Sequence, residues 1–215
     1  MLELFAKGGI MMYPLAICSV VALGVALERM VSLRKNKIVI PELVGIIPKI
    51  HSAEDLRLLH SVCESRKDPM AGVLMSCLRN RDLPLDELRA TVEDEGRQQV
   101  RSLNFGLNIL ETIAGIAPLL GLLGTVIGMI DVFEVIQSIG VGQAQKLSGG
   151  ISEALITTAA GLFVGIPALI AFNYFTSRSE SLILDIEKHA LNLLNAIVRM
   201  RTNSNENVDL NLRTS

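Results

Sequence analysis

Two threonines and a carboxylate stand out because of what surrounds them. Thr125 lies in "IAPLLGLLGTVIGM" (116–129), Thr158 lies in "ALITTAAGLFVGIPALIAF" (154–172), and Glu153 immediately precedes the second stretch. Both stretches are otherwise apolar, so a hydroxyl within them has two uses. It can bond back to a carbonyl of its own helix, the ordinary fate of a lone threonine there. Alternatively it can serve as donor and acceptor for a polar group moving through a low-dielectric space. Thr125 stands six positions from Asp131 and Thr158 five from Glu153. At about 1.5 Å of rise per residue, both hydroxyls lie roughly 8 to 9 Å inside the edge of their stretch. Two hydroxyls on one level, both on small-residue faces, favour a polar ring in an assembled interior. Glu153 is the only carboxylate abutting its stretch, and an acid at such a boundary is a candidate for handling ions.

The neighbouring residues suit close packing. Gly121, Thr125 and Gly128 recur at steps of four and three with Gly124 beside them, and Ala154, Thr158, Gly161 and Gly165 recur at four, three and four. In lipid there is no hydrophobic drive between helices, so small residues that let backbones approach are a main source of association. The two smooth faces are expected to meet one another or a neighbouring subunit. Pro118 and Pro167 each remove a backbone donor, freeing the carbonyls of Ala114 and Phe163. A kink accounts for both prolines, and a freed carbonyl on a polar interior could also bind a donor.

The elements that must position these groups follow from composition. Half of the 215 residues are hydrophobic and the net charge is −2, a membrane-protein composition that argues against nucleic-acid binding. Charge vanishes in three windows long enough to cross a bilayer: 10–27, 112–130 and 154–172. Glu3 occupies what would be the basic leader of a secretory signal, so the first window is expected to be a retained span. Arg29, Arg34, Lys35 and Lys37 follow the first span, Arg97 and Arg101 precede the second, and Arg178 and Lys188 follow the third. Basic flanks stay in the cytoplasm. The expected order is therefore a short periplasmic N-terminus at 1–9, a cytoplasmic helical segment at 28–111, a periplasmic connection at 131–153 and a cytoplasmic helix at 173–201.

Within 28–111, Ser52 with Asp55 predicts a capped helix, Pro69 opens another, and Pro84 suits the start of a third that runs straight into the second span. The apolar face of that third helix has a gap around Glu95-Gly96. Beyond Arg178, Leu182, Ile186, Leu193, Ile197 and Met200 continue an apolar face, so the third span is also expected to extend inward. Residues 202–215 are polar and aperiodic, and predict a disordered tail. The glycines at 140, 142, 149 and 150 predict a turn in the outer connection.

Cys18, Cys63 and Cys77, like His51, His60 and His189, form no metal-ligand spacing, and no nucleotide loop or nucleophile–base motif is present. No enzyme chemistry and no cofactor are expected.

"GIAPLLGLLGTVIGMIDVF" followed by "GGISEALITTAAGLFVGIPALIAFNYF" closely resembles the second and third transmembrane helices of the MotA/TolQ/ExbB proton-channel family, in its three-span ExbB/TolQ branch. The resemblance implies an all-α membrane protein of the bacterial inner membrane with three transmembrane helices, long cytoplasmic helical extensions and a homopentamer around a central pore. That pore would enclose a dimeric, single-span ExbD/TolR-like partner whose aspartate carries the proton. Thr125, Thr158 and Glu153 would line the ion path, and Pro118 would match the proline of the family's second helix. The implied function is converting proton motive force into work on the outer membrane, in TonB-dependent transport with a TonB-like protein. The alternatives are Tol-Pal-type maintenance with a TolA-like protein and a motility stator. Thr157, an additional hydroxyl beside Thr158, leaves sodium open as the ion. A passive membrane scaffold is the rival from a different class.

Overall fold

The computed structural model describes residues 8–50, 52–66, 68–139 and 144–214, and all regular structure among them is helical. In chain order the helices are α1 (Met12–Ser32), α2 (Lys35–Ile38), α3 (Pro41–Ile46), a 3-10 turn at Ile47–Lys49, α4 (Ala53–Glu64), α5 (Pro69–Arg79), α6 (Leu85–Asn104), α7 (Leu107–Ile139) and α8 (Ala144–Thr214). Three of them, α1, α7 and α8, contain stretches long and apolar enough to cross a membrane.

The short helices begin where side chains can satisfy their first free amides. Ser52 Oγ accepts from the Asp55 amide at 3.3 Å while Asp55 Oδ2 accepts from the Ser52 amide at 2.9 Å, a reciprocal capping box at the head of α4. Asp68 accepts from the Ala71 amide at 3.1 Å at the head of α5, and Pro69 fills the first turn, where no donor is missed.

Three sequence expectations are corrected. α6 does not run into the second span: it ends at Asn104, and Phe105 (φ −55°, ψ 133°) with Gly106 (φ +81°) makes a turn before α7 starts. These angles are close to those of a type II turn, whose second central residue needs positive φ and hence glycine. The outer connection is not an open loop over its whole length, because α7 continues to Ile139 and α8 starts at Ala144. Gly149 and Gly150 lie within α8, whereas Gly140 and Gly142 lie outside the described residues. Finally, the segment from 202 continues as helix to Thr214, in a stretch that holds neither glycine nor proline to stop it. Of the leader 1–9, Gly8 and Gly9 are described.

The chain divides into two compact units. The first is Met1–Val31 with Gly106–Thr176. In it α7 buries one face, through Leu107, Leu110, Ile113, Ala117, Gly121, Gly124, Gly128 and Val132, at steps of three and four. Its other face exposes Leu119, Leu122, Val126, Ile130 and Phe133. Such an apolar exterior suits a bilayer, where internal helical bonding satisfies the backbone.

The second unit is Ser32–Phe105 with Ser177–Ser215. Its centre is α5, which buries Met70, Ala71, Val73, Leu74, Met75, Cys77 and Leu78. Leu182, Ile186, Ala190, Leu193 and Ile197 of α8 contribute a continuous buried stripe, including four of the five positions predicted from the periodicity. Ser179 Oγ donates to Asn104 Oδ1 at 2.7 Å, and Lys35 pairs with Asp185 at 2.7 Å. The apolar gap at Gly96 opens into a groove of about 440 Å³ lined by Val92, Val100, Leu103, Ile186 and Leu194.

Cys63 and Cys77 are buried in this unit, and burial pushes both thiols up from 9.0 to about 11, with Asp68 adding to the rise at Cys63 and Arg201 opposing it at Cys77. A raised folded-state value means that each contributes stability below pH 9 that is lost as pH climbs toward 11. Since the thiolate is the reactive form, native protein at pH 8 should react with a thiol reagent at these positions orders of magnitude more slowly than denatured protein. Peptide mapping checks this, and prompt modification of either residue in the native state would refute the packing.

Candidate functional site

The candidate site is the contact between α7 and α8 in the first unit, built from residues that lack side-chain bulk. The two helices run antiparallel there, with positions 128, 124, 121 and 118 of α7 meeting positions 154, 157, 161 and 165 of α8. A Cβ on Gly161 would stand 2.6 Å from the Ala117 carbonyl oxygen and 2.9 Å from Gly121 Cα, and one on Gly121 would stand 3.1 Å from Thr158 Cα. One on Gly128 would lie 3.0 Å from Ala154 Cβ. The backbones therefore touch. The two smooth faces expected to meet either one another or a neighbouring subunit meet one another within this chain.

Pro118 has a specific seat in this contact. Its ring carbons lie 2.8 Å from where a Gly165 Cβ would be, and the freed carbonyl of Ala114 comes within 3.4 Å of the same point. The glycine thus makes room for both the proline ring and the acceptor that the proline leaves behind. Pro167, by contrast, is exposed and outside this seat.

The threonines divide by neighbour. Thr158 Oγ1 donates across the contact to the Gly121 carbonyl at 3.0 Å. In an α-helix that same carbonyl faces the amide four residues on, which belongs to Thr125. The Thr158 hydroxyl therefore lies at the carbonyl that the Thr125 amide faces. Thr125 Oγ1 donates to the Leu122 carbonyl of its own helix. Both are half-buried, at an edge of the contact rather than inside it.

Thr157 is the residue that spacing did not single out. It is 1 % exposed, its methyl occupies the space that a side chain on Gly124 would need, and its hydroxyl lies 2.8 Å from the Gly8 carbonyl and 2.9 Å from that of Glu153. Glu153 is half-buried and folds over Gly9: a Cβ at Gly9 would overlap Glu153 Oε1. The structure thus gathers Thr125, Thr158, Gly121 and Pro118 on one stretch of the contact and sets Glu153 toward the leader of α1. Chemically, the edge offers hydroxyls with unused lone pairs. It holds no carboxylate beside them, and among the described residues no cluster of His, Cys, Asp or Glu could hold a metal.

The model of the MotA/TolQ/ExbB proton channel family matches residues 65–188, which include α7 and the apolar part of α8. The chain is similar to the ExbB-like 1 biopolymer transport protein of Synechocystis sp., at 36% identity over 182 residues, 82% of this chain and 71% of that protein. It is also similar to the ExbB homolog of Methanothermobacter thermautotrophicus, a biopolymer transport protein, at 29% identity over 209 residues, 95% of this chain and 74% of that one. The Tol-Pal system protein TolQ of Pseudomonas aeruginosa is 34% identical over 146 residues, 61% of this chain and 63% of its own.

Adding one methyl group tests the contact. Gly161→Ala must push Ala117 and Gly121 away and should destabilise the α7–α8 pair by about 1–3 kcal/mol, the usual range for overpacking. Gly115→Ala, where nothing lies within 4 Å, should be neutral or gain up to about 1 kcal/mol from reduced backbone freedom. Thermal melts in detergent compare the two; equal midpoints would refute the backbone contact.

Proposed function

We propose that this chain, which belongs to the MotA/TolQ/ExbB proton channel family, is an inner-membrane motor subunit that works as a homopentamer around a single-span, ExbD/TolR-like dimer and couples proton flow to work on the outer membrane. The observation that carries this reading is the bond from Thr158 across the contact to the Gly121 carbonyl, the carbonyl that the Thr125 amide faces, which supports a common height for the two hydroxyls. A multi-pass protein that merely anchored its second unit would need the glycines but not two hydroxyls at one height.

The chemistry follows from what a hydroxyl offers. A protonated partner carboxyl donates to a threonine oxygen while the threonine keeps its bond to Gly121 or Leu122. Once ionised, the carboxylate needs donors in a low-dielectric pore, and the threonine hydroxyls turn from those carbonyls to supply them. Each exchange replaces one hydrogen bond by another, so the partner's carboxyl can release its proton to water on one side and take one up from water on the other without an unsatisfied charge, the threonines keeping their own protons throughout. Thr157 is engaged with two carbonyls at 2.8 and 2.9 Å, which favours protons over a sodium site that would recruit its hydroxyl. TonB-dependent transport is the favoured task, supported by the two ExbB-type relatives described above, which match 82% and 95% of this chain against 61% for the Tol-Pal relative.

Thr→Val keeps shape and deletes the hydroxyl. Thr125→Val and Thr158→Val should assemble as pentamers and bind partner, yet lose partner-dependent proton flux by at least about fivefold each, the worth of one hydrogen bond. Thr158→Val should be the more severe and Glu153→Ala intermediate. Flux in proteoliposomes beside native mass spectrometry reads both. Full flux in both valine variants, or a monomeric wild type, would overturn the proposal. For orientation, Ser61→Cys in a background lacking native cysteines should react with an impermeant maleimide only after the inner membrane is opened. Labelling in intact cells would reverse the topology.

A further inference from the structure

We infer that Thr157 is a positioning residue: its hydroxyl fastens the leader of α1 to α8 and so fixes where the Glu153 carboxylate lies. The placement stands on the geometry alone, and only its bearing on conduction rests on the proposed function.

Thr157 touches three parts of the first unit with one small side chain. Its methyl presses on Gly124 of α7, its backbone belongs to α8, and its hydroxyl reaches Gly8, which precedes α1 and is 149 positions away in sequence. A threonine in an apolar helix needs no such partner, because its own i−4 carbonyl is available. Here that carbonyl, of Glu153, lies at 2.9 Å and Gly8 at 2.8 Å, so one proton is shared between two acceptors of nearly equal distance. The leader is shaped to receive it. Gly9 holds φ +66°, a left-handed backbone that favours glycine, and its missing side chain leaves the space that Glu153 Oε1 occupies. A Cβ on Gly8 would lie 3.4 Å from Ile156 Cγ2, so Gly8 and Gly9 lie along positions 153, 156 and 157, one face of α8.

The shared proton makes this fastening reversible. When the leader lifts, the hydroxyl falls back fully on the Glu153 carbonyl and no donor is stranded, while the Gly8 carbonyl must find another donor. Closed, the leader keeps the Glu153 carboxylate against Gly9. Open, it frees the carboxylate.

Two substitutions at one position separate this role from packing. Thr157→Val keeps the methyl on Gly124 and loses the hydroxyl; Thr157→Ser keeps the hydroxyl and loses the methyl. In the full chain in lipid nanodiscs, hydrogen exchange reads the amides of Met12, Tyr13 and Leu15, which bond back to Gly9, Ile10 and Met11. Carbodiimide coupling to a water-soluble amine reads Glu153, with the exposed Asp131 and Glu134 as internal standards. Thr157→Val should speed both by about fivefold, the population change carried by one ordinary hydrogen bond, and Thr157→Ser should match wild type. A Ser variant that loosens more than the Val variant would make Thr157 a packing residue only. A leader that loosens in Val with Glu153 unchanged would refute the positioning of the carboxylate. Neither readout needs proton flux, so a wild-type protein that conducts with no partner would sink the proposed function and leave this inference to be decided by these two measurements.

Discussion

Close approach of two backbones is the interaction on which the membrane unit depends. Lipid offers no solvent-driven reason for α7 and α8 to associate, so their attraction must come from van der Waals contact and a few polar bonds. Both require the helix axes to come near, which any ordinary side chain at Gly121, Gly161 or Gly165 would prevent. The bond from Thr158 to Gly121 is a consequence of that nearness, since a short side chain spans the gap only because neither backbone is held off. The seating of Pro118 follows from the same cause: the proline would leave the Ala114 carbonyl facing hydrocarbon, and the vacancy at Gly165 admits a neighbouring helix instead.

The second unit rests on a different kind of energy. Its core is aliphatic, centred on α5, and it recruits the far part of α8 through Leu182, Ile186, Leu193 and Ile197. Water supplies the drive there, at about 25 cal/mol per Å² of apolar surface removed. One helix therefore takes part in two units under two solvents, and its sequence changes accordingly, from glycine, alanine and threonine between 154 and 165 to leucine and isoleucine beyond 180.

Much of this was legible because it rests on period and punctuation. The steps of three and four at 121, 125 and 128 and at 154, 158, 161 and 165 revealed two smooth faces, and Ser52 with Asp55 revealed a capping box. What escaped depended on choices that period does not make. On a stripe of 3.6-residue repeat, 154–157–161 and 154–158–161 fit equally well, so sequence favoured Thr158 while Thr157 is the one that the structure buries. Only the vacancy at Gly124 and the carbonyl of Gly8, neither a neighbour in sequence, decides between them. Gly106 escaped for a related reason: a single glycine is tolerated in a helix, and nothing local says that this one adopts φ +81°.

The seat of Pro118 against Gly165 also limits what the membrane unit can do mechanically. Sliding α8 by one turn, about 5.4 Å, in one direction would carry Thr157 to where Gly161 now meets the Ala117 carbonyl. In the other direction it would carry Leu169 to where Gly165 now receives the proline ring. Neither position has room for a larger side chain, so the pair cannot telescope. Any rearrangement of this unit that keeps the contact must tilt or turn the two helices together, as a single rigid tooth.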